Sequence, residues 1–362
     1  MAGRSCFERM DEFAKAKTMV FPRQVLVGHG VLEELGAMCR ELELDGPALV
    51  VTGPHTRAIA GDDAVRILQQ NNLKAELCLV SGATEATVAQ VHHAIEASRA
   101  SFAVGVGGGS VIDATKLGSH RAGVEFISAP TSASHDGITS PRASIRDARG
   151  SASTQAHAPL AILADTAIIG RAPYKHLAAG CGDVLSNLNA IKDWRLAHKL
   201  RDEPYSSMAA NLSLTAADMV LENQDDIRPG LEEAVWLVTK ALIVSGVSMS
   251  VAGSSRPASG AEHMMSHALD RLAPRAALHG EQCGVGTILA LALHGDEWQR
   301  ARDALQKVGA PTTASGLGIP RATLIEALVQ AHTIRPERYT ILGDQGITRE
   351  AAERLLKVTG VA

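Results

Sequence analysis

Aromatic residues are scarce in this chain of 362 residues, at 3% of the total, so the core must be built mainly from aliphatic side chains. There is no basic surplus either, because 39 acidic residues outnumber 35 Lys and Arg and leave a formal charge of −4. Such a chain offers no positive field for nucleic acid. No uninterrupted apolar run reaches the roughly 20 residues of a membrane span, and the first residues lack an apolar signal core. We therefore expect a cytoplasmic protein without nucleic-acid binding or membrane insertion.

The five cysteines are an odd number, and no CxxC spacing occurs among them. This pattern predicts reduced, structural thiols rather than a disulfide framework. Cys181 and Cys283 lie close in sequence to candidate metal ligands, so a ligand role stays open beside the usual role of a buried thiol.

The first half of the chain alternates between apolar strands and helices. We predict strands at residues 24–27, 47–52, 75–80, 102–106, 126–129 and 160–164, and helices at 31–42, 64–71 and 88–97. Alternation of this kind predicts βαβ units and a parallel sheet covered on both faces. The polar segment 144–158 is predicted to be a hairpin or an exposed loop.

After about residue 170 the apolar spacing becomes helical and stays so. Helices are predicted at 179–199, 206–224, 231–250, 261–271, 284–292, 297–308, 321–330 and 349–359, with prolines near the breaks. The fold class is thus an α/β N-terminal Rossmann-like domain (residues 1–170) followed by an all-helical C-terminal domain (residues 171–362). Open α/β folds bind ligands at the carboxyl ends of their strands, so the site should lie between that edge and the helices.

A glycine-rich turn follows the fourth predicted strand in Ala103-Val-Gly-Val-Gly-Gly-Gly-Ser-Val-Ile-Asp-Ala-Thr-Lys116. Glycine lets the backbone approach a phosphate closely, and the helix that begins near Ser110 turns its free amides to the same place. The turn is not a GxGxxG fingerprint, and an ordinary strand-to-helix turn is an equally good interpretation of the glycines alone.

A hydroxyl-rich loop, Thr131-Ser-Ala-Ser-His-Asp-Gly-Ile-Thr-Ser-Pro141, follows the next strand. Its hydroxyls and backbone amides suit a dinucleotide, and the Asp136 carboxylate suits a polyol hydroxyl. Taken alone, the loop is more typical of a Ser/Thr turn that satisfies its own backbone.

One carboxylate and two imidazoles form a candidate metal site: Asp183, His263 and His279. His263 and His267 are spaced i, i+4 and share a helix face. This donor set suits a divalent ion with room for a substrate oxygen. The spacing is not His-Glu-x-x-His, which argues against a metalloprotease, and a polar or core helix face remains the alternative.

Together these motifs resemble the sn-glycerol-1-phosphate dehydrogenase family, within the glycerol dehydrogenase and iron-containing alcohol dehydrogenase superfamily. The similarity extends through Ser254-Ser-Arg-Pro-Ala-Ser-Gly260 and His332-Thr-Ile-Arg-Pro-Glu-Arg-Tyr-Thr-Ile-Leu-Gly343. It implies a dehydroquinate synthase-like architecture. It also implies cofactor contacts at Gly107, Gly108, Gly109, Ser110, Val111, Thr131, Ser132, Ala133, Ser134 and Ser140. Catalytic and substrate roles are implied for Asp136, Asp183 and His267, and metal ligation for Asp183, His263 and His279. The family commonly has Lys where this chain has Ser110.

The activity that the resemblance implies is reversible, NAD(P)-dependent reduction of dihydroxyacetone phosphate to sn-glycerol 1-phosphate. This reaction makes the backbone of archaeal-type glycerophospholipids, and one Zn2+ per subunit would act as Lewis acid; some relatives use iron. Glycerol dehydrogenase, a dehydroquinate synthase-like lyase and a non-catalytic scaffold are the alternatives. We also expect a homo-oligomer of undetermined subunit number.

Two details of ligand recognition stay open in the sequence. The second strand ends without the acidic residue that rejects a 2′-phosphate, and Arg57 could tolerate that phosphate, so we expect use of both NAD and NADP. Arg142 and Arg256 are our candidates for binding the substrate phosphate; for both, a structural salt bridge is the alternative.

Overall fold

The computed structural model describes residues 19–147, 150–274 and 277–362; Cys6 lies outside them. Its main feature is a six-stranded, wholly parallel sheet in the order β1-β8-β5-β4-β2-β3. The strands are β1 Gln24–Gly28, β2 Ala48–Thr52, β3 Ala75–Leu79, β4 Phe102–Gly107, β5 Glu125–Pro130 and β8 Ala161–Asp165. The prediction of a parallel α/β sheet followed by a helical region is confirmed.

Aliphatic side chains on both faces of the sheet explain why its central strands are continuous apolar runs. On one face Val50 and Val104 pack with Leu68. On the other face Val51 packs with Ile112. The helices of this part are α1 Leu35–Glu41, α2 Pro54–Thr56, α3 Asp62–Gln70, α4 Glu85–Ser98, α5 Gly109–Ala122 and α6 Thr166–Ile169.

The polar segment between the last two sheet strands forms an antiparallel hairpin, β6 Arg142–Asp147 and β7 Gly150–Gln155. Its Ala143 and Ile145 are buried against Val88 and Leu117. The hairpin therefore packs on the α/β part and carries the end of the hydroxyl-rich loop with it.

The remaining helices pack around a second aliphatic core. They are α7 Lys175–Leu185, α8 Asn187–Arg201, α9 Ser207–Glu222, α10 Glu232–Ala252, α11 Ala261–Leu272, α12 His279–Leu293, α13 Trp298–Lys307, α14 Arg321–Gln330 and α15 Arg349–Thr359. The prediction of one helix over 179–199 is wrong, because the chain breaks at Ser186. The Ser186 hydroxyl donates to the Asp183 carbonyl at 2.6 Å, which competes with the regular helix hydrogen bonds.

Helix α10, with 21 residues, is by length and composition apolar enough to cross a membrane. Lys240 interrupts its apolar sequence, so the prediction that no uninterrupted apolar run reaches a membrane span is unaffected. However, 72% of its most apolar window is buried inside the protein, as in the core helix of a soluble domain. The helix is thus explained by its packing in the second core.

Candidate metal and dinucleotide site

A cleft of about 970 Å³ opens where the carboxyl ends of β4 and β5 face the helices. It brings together most of the residues singled out in the sequence. Those that line it are Gly108, Gly109, Ser110, Val111, Ser132, Ser134, Asp136, Ser140, His263, His267 and His279. Four other predicted residues are buried next to these and do not line the cleft themselves: Gly107, Thr131, Ala133 and Asp183.

The glycine turn leads directly into α5, whose first residue is Gly109. Close packing explains the glycines, since a Cβ on Gly107 would lie 2.6 Å from Val111 Cβ, and one on Gly109 would lie 1.7 Å from His135 Nε2. Gly108, Gly109 and Ser110 line the cleft, so the N-terminus of α5 faces it, and its unpaired amides and helix dipole favour an anion there. The cradle suits a diphosphate.

The hydroxyl-rich loop is fixed beside this turn from two sides. Thr131 N donates to Gly107 O at 3.0 Å, which joins the ends of β5 and β4. On its other side, the loop is held by the fully buried Lys116 of α5, whose ammonium donates to Gly137 O and to Arg142 O, each at 2.6 Å. The same ammonium forms an ion pair with Asp113 at 3.2 Å. Asp113 and Lys116 therefore hold the loop in place, and Asp113 also lines the cleft.

Three helices supply the metal-binding candidates, and glycines let two of them approach closely. A Cβ on Gly182 in α7 would lie 2.3 Å from Gly280 O in α12, and one on Gly280 would lie 1.9 Å from Ala179 O. This contact sets Asp183 of α7 beside His279 of α12. The sequence placed both residues next to glycines, and helix–helix packing is the reason.

The candidate ligand atoms converge on one point. Asp183 Oδ1 is 3.9 Å from His263 Nε2 and 3.7 Å from His279 Nε2. Donors about 2.0–2.1 Å from a tetrahedral zinc stand roughly 3.4 Å apart, so small shifts would accommodate the ion. Cys283 joins the same group: the ligand atoms of all four residues lie within 4.8 Å of one another. Cys181, by contrast, is buried in the apolar core.

Burial sets the protonation of these groups. Burial and the nearby charge of Asp136 raise the pKa of Asp183 to about 8, so a cation that displaces the proton would be stabilised there. Burial also lowers the pKa of His279 well below its usual value, which leaves the neutral imidazole that binds metals. Burial lowers the pKa of His263 too, but the hydrogen bond and charge of Glu262 more than offset this, and the net shift is upward.

Glu262 orients His263, although no motif in the sequence marks it as a functional residue. Its buried carboxylate lies 2.9 Å from His263 Nδ1 and accepts from Gly260 N at 2.6 Å. In the neutral tautomer that donates Nδ1–H to this carboxylate, which is the form that binds a metal, the Nε2 lone pair faces Asp183. Metal-bound histidines are commonly oriented in this way.

Asp136 and His267 complete the cleft. Asp136 Oδ2 accepts a hydrogen bond from Ser245 Oγ at 2.8 Å, and Asp136 N donates to Asp183 Oδ2 at the same distance. The His267 ring lies 5.9 Å from the His279 ring, and its buried Nδ1 has no hydrogen-bond partner among the described residues. Burial lowers the pKa of His267 well below its usual value, so it is neutral.

Both arginines proposed from the sequence as phosphate ligands already have hydrogen-bond partners within the protein. Arg256 is buried and donates from Nε to Glu203 Oε1 at 2.6 Å, so for this residue the salt-bridge alternative is observed. Arg142 lines the cleft, but its guanidinium donates to Ser153 Oγ, Ser153 O and Gln155 Oε1 at 2.7, 2.7 and 3.0 Å. Arg335, which no motif in the sequence marks for this role, lines the cleft as well.

Sequence comparisons place the chain among known enzymes. A profile of the iron-containing alcohol dehydrogenase family matches residues 26–173. A glycerol-1-phosphate dehydrogenase [NAD(P)+] of Methanosarcina mazei is 56% identical over 96% of this chain and 97% of its own length. That of Methanothermobacter thermautotrophicus is 54% identical over 94% and 97%. The chain belongs to the glycerol-1-phosphate dehydrogenase family.

Solved structures of more distant proteins share the fold of this glycerol-1-phosphate dehydrogenase family member. A probable glycerol dehydrogenase from Sinorhizobium meliloti superposes with a TM-score of 0.76 at 20% identity, over 95% of this chain and 98% of that one. The NADH-dependent butanol dehydrogenase A of Thermotoga maritima gives 0.73 at 15% identity, over 95% and 98%. These likenesses confirm the architecture.

Proposed function

We propose that this chain catalyses the reversible, NAD(P)-dependent reduction of dihydroxyacetone phosphate to sn-glycerol 1-phosphate. One observation carries the proposal: the ligand atoms of Asp183, His263 and His279 converge in the same cleft as the glycine turn. The family relatives at 54–56% identity, all named for this activity, support the choice of substrate.

The residues present fit both a metal and a dinucleotide. Asp183, His263 and His279 would hold a divalent ion, for which we propose zinc, and that ion would supply Lewis-acid polarisation of the C2 carbonyl. Gly107, Gly108, Gly109, Ser110 and Val111 would hold the cofactor diphosphate, with Thr131, Ser132, Ala133, Ser134 and Ser140 beside it. The nicotinamide would supply the hydride.

The chain's own residues bind and orient the substrate. The Asp136 carboxylate would accept a hydrogen bond from a substrate hydroxyl while Ser245 fixes its rotamer. Neutral His267 would position the substrate or relay the proton that the new C2 hydroxyl needs. Glu262 would keep the Nε2 lone pair of neutral His263 directed into the site.

Steady-state assays of the zinc-loaded protein with dihydroxyacetone phosphate and with unphosphorylated dihydroxyacetone would test this proposal. We expect efficient reduction of the phosphate ester and weak activity on dihydroxyacetone. A preference for dihydroxyacetone would favour glycerol dehydrogenase, and inactivity on both would exclude a dehydrogenase of this class. Chiral analysis of the product decides its handedness.

Several expectations from the sequence accompany this proposal. We propose that the protein works in the cytoplasm, as a homo-oligomer, without inserting into the membrane whose lipid precursor it makes. The domain boundary at residues 170 and 171 also stays a prediction. The resemblance also implies that Ser110, where the family commonly has Lys, either weakens a phosphate contact at the N-terminus of α5 or alters cofactor preference.

A further inference from the structure

Arg335 and Arg338 are cations beside the cleft with no carboxylate partner within salt-bridge distance in the described part of the chain. Arg335 lines the cleft, and its guanidinium makes two long contacts, 3.5 Å to Ser259 Oγ and 3.5 Å to His267 Nε2. Both lie at the limit of a hydrogen bond, so the guanidinium retains donors for a ligand.

Arg338 lies behind Arg335 and fixes the neighbouring segment. Its Nη1 donates to Ser259 O at 2.6 Å and its Nη2 to Ser255 Oγ at 2.9 Å. Ser255 and Ser259 both line the cleft. Because the Ser255 oxygen accepts from Arg338, its own proton is free to be donated to a ligand.

The other two arginines at this end of the cleft have stronger existing partners. Arg256 has the Glu203 carboxylate, and Arg142 has two residues of the hairpin. Their positive charges still act on Arg335 and Arg338. Burial, then neighbouring guanidinium groups, lower the pKa of Arg335 to about 10 and that of Arg338 to about 9. Both remain cationic at neutral pH, and a bound dianion would relieve their repulsion.

We propose that Arg335, with the hydroxyls of Ser255 and Ser259, binds the phosphate of the substrate, and that Arg338 is a positioning residue for both serines. This assignment rests on the proposed function. His267 separates Arg335 from the metal-binding candidates, since its ring is 5.9 Å from that of His279 and its Nε2 is 3.5 Å from Arg335.

The dimensions of the substrate fit this arrangement. In dihydroxyacetone phosphate only C1 and one ester oxygen separate C2 from phosphorus. A substrate whose C2 oxygen lies at the Asp183, His263 and His279 site would therefore extend along His267 and place its phosphate on the Arg335 side. A planar guanidinium can hold two phosphate oxygens with parallel hydrogen bonds, which an ammonium cannot.

The test compares Arg335→Ala, Arg335→Lys and a control, Arg354→Ala, on the exposed face of α15. For Arg335→Ala we expect kcat/KM for dihydroxyacetone phosphate to fall about 100-fold. Activity on dihydroxyacetone should fall by a much smaller factor, because it can lose only what Arg335 contributes through His267 and not the phosphate contact. The Lys variant should recover about a tenth of wild-type efficiency, because it restores the charge without the paired hydrogen bonds.

Calorimetric binding of sn-glycerol 1-phosphate to each zinc-loaded variant provides a second measurement that does not need turnover. Weaker binding by Arg335→Ala, with unchanged zinc content, supports the assignment. If Arg335→Ala does not fold, Arg335→Lys provides the test. A lower kcat/KM for dihydroxyacetone phosphate, without a matching decrease for dihydroxyacetone, would then support the assignment. Equal proportional losses on both substrates, or a loss below threefold on the phosphate ester, would overturn it. Wild-type inactivity on dihydroxyacetone phosphate would instead refute the proposed function and this assignment together.

Discussion

Replacing Glu262 with glutamine should weaken zinc binding although Glu262 is not itself proposed as a ligand. The carboxylate is fully buried; one of its oxygens serves both His263 Nδ1 and Gly260 N, and the other accepts from Asn189 Nδ2. A glutamine that keeps its carbonyl toward His263 turns its NH2 group toward the NH2 group of Asn189. Asn189 cannot flip without cost, because its Nδ2 also donates to Asp193 Oδ2 at 2.9 Å.

The expected effect is about 10- to 100-fold in zinc affinity, typical for loss of a group that orients a metal-bound histidine. This corresponds to roughly 1.4–2.7 kcal/mol, and the unfavourable contact with Asn189 favours the upper end. Competition with a chromophoric chelator measures the zinc affinity. Glu353→Gln, on the exposed face of α15, is the matched control. Zinc affinity within twofold of wild type in Glu262→Gln would show that this carboxylate does not orient His263.

Three further predictions concern the loop, the substrate contact and the cofactor. Lys116→Met should destabilise the protein by about 3 kcal/mol or more, because Asp113 loses its buried partner; an unchanged denaturant midpoint would contradict this. Asp136→Asn should lower kcat/KM for dihydroxyacetone phosphate about 10- to 100-fold, through loss of a charge-assisted hydrogen bond, with zinc content unchanged. Asp218→Asn, at an exposed position of α9, is the control. Equal kcat/KM values for dihydroxyacetone phosphate in the two variants would exclude the substrate contact of Asp136. The kcat/KM values with NADH and with NADPH should lie within roughly tenfold of each other. A thousandfold preference for either cofactor would show that the end of β2 discriminates between them.

The architecture follows from local patterns in the sequence. The strands are short, mostly aliphatic runs, and all six in the sheet lie within a residue or two of their predicted positions. The glycine turn and the hydroxyl-rich loop had to meet, because they end neighbouring parallel strands. Thr131 N and Gly107 O form the hydrogen bond that joins them.

What the sequence could not reveal depends on contacts between distant segments. Arg335 lies 76 positions from Ser259, and only the packed structure shows that Arg256 has a carboxylate partner while Arg335 has none among the described residues. Glu262 precedes a candidate ligand, yet its bond to His263 depends on a buried network that includes Asn189. The helix break at Ser186 arises from a hydroxyl–carbonyl bond within a pattern that otherwise favours a continuous helix.

Stoichiometric zinc titration of the metal-free protein tests the central claim most directly. If Asp183, His263 and His279 form one zinc site per chain, as we propose, dihydroxyacetone phosphate reduction should be absent after chelation. It should rise with added zinc to a plateau near about one equivalent, and Asp183→Asn should not recover. Full activity in protein shown by elemental analysis to contain no metal would contradict the account.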